Sequence, residues 1–85
     1  TSYICKQIGE HEYVLSARLE IEKVNETFGL DLPESDDYLT VGGLILNRYQ
    51  SFPKLHEVIE VDNYQFKIIK VTATKIELVR LKVIE

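Results

Sequence analysis

The sequence predicts an α+β domain in which an antiparallel sheet carries two helices packed on one face, in the order ββ-α-α-βββ. Three observations carry that prediction. Short β-type runs stand at both ends, a helical period occupies the middle, and Gly or Pro falls where the period changes.

Tyr3-Ile4-Cys5-Lys6-Gln7-Ile8 and Glu12-Tyr13-Val14-Leu15-Ser16 flank Gly9-Glu10-His11, which reads as a hairpin. Leu19, Ile21, Val24 and Phe28 then recur at helical spacing with Glu20, Glu22, Lys23, Asn25 and Glu26 between them, predicting a helix over 19–28. Gly29 sits where a C′ residue belongs, Leu30 can supply the hydrophobic contact of such a stop, and Pro33 forbids continuation. Asp31 to Asp37 is an acidic, proline-containing loop. Thr40 is placed to cap a second helix whose apolar side is Val41, Leu44, Ile45 and Tyr49, ending before Ser51-Phe52-Pro53.

Beyond Pro53 the pattern alternates. Glu57 to Val61 meets a turn at Asp62-Asn63, Tyr64 to Ala73 follows, Thr74-Lys75 turns again, and Ile76 to Ile84 completes a meander. Val14, Ile21, Val24, Phe28, Leu44, Ile45, Phe66, Ile68, Val79 and Leu81 are the expected core. The alternation breaks at Ile68-Ile69. Either Ile69 and Val71 share the face of Lys67 and touch a partner, or a bulge shifts the phase. On the first alternative these two residues are interface candidates and predict some self-association.

Eighty-five residues make one domain, 1–85, and 45% apolar content supports a packed core. The single Cys5 allows no internal disulfide and reads as a small buried hydrophobe rather than a reactive thiol. The chain begins at Thr1 and contains no Met, from which we expect a domain excised from a longer polypeptide. No apolar run reaches the roughly 20 residues of a membrane span. Charge is uneven: residues 1–37 hold nine acids and three bases, residues 38–85 seven bases and five acids. A net charge of −4 without a clustered basic face argues against nucleic acid as a partner.

Two adjacent glycines opening a helix need a reason, because each costs about 1 kcal/mol relative to Ala inside one. Gly42 and Gly43, with Thr40, are therefore ligand candidates, an anion being favoured at a helix start. Against that, no Walker-type Lys follows and no Gly-x-Gly-x-x-Gly is present, so tight packing is the competing explanation. His11 and His56 lack a second His or Cys at zinc-ligand spacing. Asp31, Glu34, Asp36 and Asp37 are donors of the kind magnesium or calcium takes, but their spacing is not that of an EF-hand. No metal site and no cofactor are assigned. Ser16 or Ser51 with His56 lacks an orienting acid, so no catalytic residues are assigned and the chain is not read as an enzyme.

The stretch Gly9-x-x-x-Tyr13-Val14-Leu15, then Phe28-Gly29-Leu30-Asp31-Leu32-Pro33, then Thr40-Val41-Gly42-Gly43-Leu44-Ile45-Leu46, then Phe52-Pro53 resembles the transporter-associated domain, the C-terminal CorC/HlyC module of CorC-like and hemolysin-like membrane proteins. The resemblance covers nearly the whole chain. It implies a fold like part of the FAD-binding domain of MurB-like oxidoreductases, without flavin binding as a family property. It also implies a cytoplasmic domain of an inner or plasma membrane protein, following transmembrane and CBS domains that would be its partners. A homodimer is a further possible partnership. The implied function is a non-catalytic regulatory or interaction module that modulates ion transport, with magnesium and cobalt efflux the usual association. The alternative is a small-molecule domain holding a nucleotide or flavin fragment at Gly42-Gly43. Two departures stand out: Ser16-Ala17 replaces an Asp-Gly, and Pro53-Lys54-Leu55-His56-Glu57 replaces a Pro-x-x-Gly-Asp.

Overall fold

A computed structural model describes residues 3–84. Two strands, β1 (Cys5–Gly9) and β2 (Glu12–Ser16), precede helices α1 (Ile21–Phe28) and α2 (Val41–Tyr49); β3 (Val58–Val61), β4 (Tyr64–Val71) and β5 (Ile76–Val83) follow. The strands form one antiparallel sheet in the order β1-β2-β5-β4-β3. The first hairpin and the closing meander are thus joined by β2 on β5, the pairing of greatest sequence separation in the sheet.

Period two sorts the sheet's faces. Tyr13 and Leu15 pair with Leu81 and Val79, which pair in turn with Phe66 and Ile68; Phe66 meets Ile59, and all seven are buried beneath the helices. Ile21 and Val24 of α1, Leu32 of the loop, and Val41, Leu44 and Ile45 of α2 close the core from above. Eight of the ten expected core residues lie there. The exceptions are corrections. Val14 points to the opposite, open face, where it pairs with Arg80, because its neighbours Tyr13 and Leu15 take the inward positions. Phe28, in the last turn of α1, is half-buried; its ring lies 4.6 Å from that of Tyr13 at the edge of the core.

The first helix starts at Ile21, two residues later than its periodicity predicts, because Leu19 and Glu20 are committed elsewhere. The Leu19 carbonyl accepts from the Val41 amide (2.9 Å), and Glu20 forms a bridge with Thr40. Gly29 ends the helix at φ 66°, the left-handed conformation anticipated for it. Asn25 then pins the following loop, its Oδ1 accepting from the Leu32 amide (2.8 Å) and its Nδ2 donating to the Leu32 carbonyl (3.0 Å).

The break at Ile68-Ile69 is a bulge. Ile68 pairs with Val79, Lys70 with Leu78 and Val71 with Ile76, leaving Ile69 unpaired on β4 and Glu77 unpaired on β5. The two insertions compensate, so Val71 returns to the core side and packs against it rather than sharing the face of Lys67. Ile69 is half-buried. The phase shift, and not an uncovered apolar patch, accounts for these two β-branched residues.

Two further positions show where this chain departs from the pattern it resembles. His56 adopts φ 69°, a left-handed conformation that explains why a glycine would be favoured there. Its amide donates to the Ile68 carbonyl (2.7 Å), which holds the turn in place against β4. Glu57 braces the same turn, accepting from the Lys54 amide (2.8 Å) and from the Tyr49 hydroxyl.

Candidate functional site

The candidate residues converge where the end of β2, the segment before α2 and the β4–β5 turn meet. Thr40 caps α2 as anticipated: it is extended (φ −108°, ψ 166°), and its Oγ1 accepts from the Gly43 amide at 3.1 Å. The other amides of that first turn are also occupied. Val41 donates to the Leu19 carbonyl and Gly42 to the Ala17 carbonyl, each at 2.9 Å, while Leu44 donates within the helix to Thr40. A phosphate cradle needs free amides aimed at the ligand. Here they hold the chain to itself.

The glycines fit tightly. A Cβ on Gly42 would lie 3.3 Å from both the Cβ and the carbonyl oxygen of Ala17; one on Gly43 would lie 3.0 Å from the Cβ of Tyr38. The pair is therefore a close-approach device that seats α2 on the exit of β2, and the packing explanation is the one the geometry supports.

Beside this joint run several open grooves; in one, of about 230 Å³, Glu77 shares the wall with Arg18 and Lys75, and two others are lined by charges of opposite sign. The larger, about 520 Å³, is lined by Tyr3, Arg18, Gly43, Leu46, Lys75 and Ile76 among others, with no carboxylate in its wall. The Arg18 guanidinium lies 5.6 Å from the centroid of the Tyr3 ring, over its face. The smaller, about 330 Å³, is lined by Glu22, Glu34, Asp36, Tyr38 and Leu39 among others, and no cation contributes to it. Tyr38 and Leu39 belong to one groove and Thr40 to the other, so consecutive residues separate them. Leu39 between them is 64% exposed, the highest value of any large apolar side chain described. Among the described ion pairs none involves Arg18, Lys75, Glu22, Glu34 or Asp36.

Sequence reasoning singled out Thr40, Gly42 and Gly43 but passed over Arg18 and Lys75, which are 57 positions apart in a chain with no local signal linking them. Their meeting follows from the β2–β5 pairing, extended by the Ala17 amide donating to the Glu77 carbonyl (3.0 Å). The remaining candidates stay scattered. His11 sits beside Glu10 at 3.6 Å on the exposed hairpin loop, and Cys5 is half-buried against the core. The Ser16 hydroxyl accepts from the Arg18 amide (3.4 Å) and, among the described hydrogen bonds, has no His partner. In the acidic loop, the Glu34 carboxylate accepts from Asn25 Nδ2 (3.1 Å) and the Asp37 amide donates to Ser35 Oγ (3.1 Å). Among the described residues no three His, Cys, Asp or Glu side chains are grouped to hold a metal ion.

The chain matches the family described as Transporter associated domain (CorC_HlyC) over residues 6–85. It belongs to that family. This transporter-associated domain is 31% identical over 78 residues to the magnesium and cobalt efflux protein CorC of Escherichia coli K12, and 30% identical to a possible hemolysin C of Rickettsia canadensis. In the first comparison 92% of the chain is covered but only 26% of the relative, so the domain spans about a quarter of the curated relatives it matches. Its fold superposes on the transporter associated domain CorC_HlyC from Nitrosomonas europaea with a TM-score of 0.83 at 25% identity, covering 98% of this chain and 99% of that one.

Proposed function

We propose that this transporter-associated domain is a non-catalytic regulatory and docking module of a larger membrane ion-transport protein. The observation that carries the reading is the match of nearly the whole chain to only a quarter of a magnesium and cobalt efflux protein. A piece of that size, in which no helix among the described residues is long and apolar enough to cross a membrane, leaves ion translocation to the rest of the polypeptide. In this reading its partners are the CBS and transmembrane domains of the same chain, met on the cytoplasmic side. It acts by making contacts that differ between transporter states, since only such a difference shifts their populations.

The geometry favours this over small-molecule binding at Gly42-Gly43. The amides that would hold an anion are bonded to Leu19, Ala17 and Thr40, and Ala17 and Tyr38 stand 3.3 and 3.0 Å from where a Cβ on Gly42 and Gly43 would lie. The decisive experiment is domain replacement. The chain substituted for the C-terminal domain of the Escherichia coli relative should restore cobalt tolerance that truncation of that domain removes. A chimera no better than the truncated protein would overturn the reading.

A further inference from the structure

The helices cover one face of the sheet and leave the other bare. Across that open face the strand registers draw a single row: Lys6 on β1, Val14 on β2, Arg80 on β5, Lys67 on β4 and Val58 on β3. Four strand spacings make the row about 19 Å long. Lys82 and Lys70 stand in the flanking rows, with Glu12, Glu60 and Glu77 as the carboxylates beside them. Arg80 Nη2 donates to both oxygens of Glu12 at 3.0 Å, and Glu77 lies 3.7 Å from Lys70 Nζ. Among the described ion pairs none involves Lys6, Lys67 or Lys82. Five cations against three carboxylates give this face +2 in a chain of net −4, so the rest of the molecule carries −6. At the β3 end the row runs into an apolar rim. Four of the nine large apolar side chains exposed among the described residues, Tyr49, Phe52, Leu55 and Val58, fall within ten consecutive positions, so they form one patch rather than scattered points. Glu57 folds that loop back on itself, accepting from the Tyr49 hydroxyl and the Lys54 amide, and exposed Lys54 sits among the four.

We propose that the open sheet face and its rim lie against an anionic lipid bilayer, the occupant that takes both features at once. Lysines are point charges that meet lipid phosphates without a fixed geometry, and aromatic and aliphatic side chains beside them enter the headgroup boundary. An acidic protein surface would use the cations but leave Phe52 and Leu55 in water. An apolar protein surface would use the rim but bury Lys67, next to Val58, without a counter-charge. The acidic remainder does not cancel the attraction. The molecule measures 30 × 30 × 26 Å and the screening length at physiological salt is about 8 Å, so carboxylates of α1 and the acidic loop are screened from the surface while they turn the open face toward it. Each surface lysine strengthens such binding about fivefold, so the domain alone binds weakly and tethering to a membrane makes the contact effective. The inference rests on the reading of the chain as part of a membrane protein and adds a direct lipid contact to it.

Vesicles of phosphatidylglycerol and phosphatidylcholine in equal parts should float the 85-residue chain at low salt, and high salt or pure phosphatidylcholine should abolish the effect. Lys67→Gln with Lys82→Gln should weaken binding about thirtyfold, whereas Lys23→Gln on α1 should change it little. The chain has no Trp, so Phe52→Trp reports its own surroundings, and its emission should shift to the blue when the anionic vesicles are added. All these side chains are exposed, and the salt and lipid dependence is read on the unaltered chain, so a variant that folds poorly does not protect the proposal. No flotation at low salt, equal effects of the two sets of lysine changes, or unchanged Trp emission would each overturn it. A chain that ignores vesicles yet binds the truncated Escherichia coli relative, with that binding lost in the Lys67 and Lys82 variant, would make the occupant an acidic protein surface and also overturn it. A working chimera whose domain ignores vesicles would remove the lipid contact and leave the docking role standing; vesicle binding with an inactive chimera would do the reverse.

Discussion

The amide of Gly42 donates to the carbonyl of Ala17 across 2.9 Å, and a methyl group at position 42 would stand 3.3 Å from that same oxygen. One relationship thus ties the start of α2 to the exit of β2 and dictates the absence of a side chain. Gly42→Ala gains about 1 kcal/mol of helix propensity but overpacks a backbone contact at about 1–3 kcal/mol, so we expect a net loss of about 1 kcal/mol. Gly42→Val should lose about 3 kcal/mol. A shift of the urea midpoint at constant m value checks both; equal stability of wild type and Gly42→Val would refute the packing role.

Thr40 makes a separate contribution through its hydroxyl. Thr40→Ala leaves the Gly43 amide without its acceptor and should cost about 1 kcal/mol, whereas Thr40→Ser should cost little. Amide exchange at Gly43, faster in the alanine variant alone, gives a residue-level readout of the same bond.

Three non-glycine residues hold left-handed backbone: Asp62 at φ 55° in the β3–β4 turn, His56 at φ 69° and Gln50, the C-cap of α2, at φ 59°. That conformation costs a non-glycine residue roughly 1–2 kcal/mol, against about 0.5–1 kcal/mol of extra unfolded-state entropy for glycine. His56→Gly and Gln50→Gly should therefore each stabilise the domain by about 0.5 kcal/mol, a rise in Tm of about 2–4 °C at this size. Both keep the amide bonds to the Ile68 and Leu46 carbonyls. A fall in Tm for either would contradict the strain argument.

The bulge makes unequal demands on two identical neighbours. Ile68 is wholly buried, and Ile68→Ala should cost about 2–5 kcal/mol. Ile69, unpaired and half-buried, should lose about 1 kcal/mol or less on the same change. Parallel denaturation curves of the two variants settle the register: losses of equal size would place both side chains in the core.

Much of this was legible in the residues. Gly29 marked the stop of α1, Thr40 the cap of α2, and the element order ββ-α-α-βββ followed from changes of period. Local signals fail where a distant segment intervenes. The start of α1 was displaced because Leu19 and Glu20 bond to Val41 and Thr40 at the start of α2, and Val14 was misplaced because the inward face of β2 is chosen by Leu81 and Val79. The candidate site follows the same division: Thr40, Gly42 and Gly43 were visible as a motif, while the opposed grooves beside them were not.

By itself the sequence determined the elements, their order, the family, and the presence of a glycine pair that demanded an explanation. These depend on period, caps and turn residues, which act over a few positions. Only the tertiary structure decided what the glycines are for, which face each strand buries, and that Arg18 and Lys75 share a wall. Those outcomes depend on the β2–β5 pairing and on the contact of α2 with Ala17, between segments whose meeting no local pattern encodes. Close approach consumes the amides that an anion would otherwise use, so the contact that seats the helix and the anion site its sequence suggests compete for the same backbone groups.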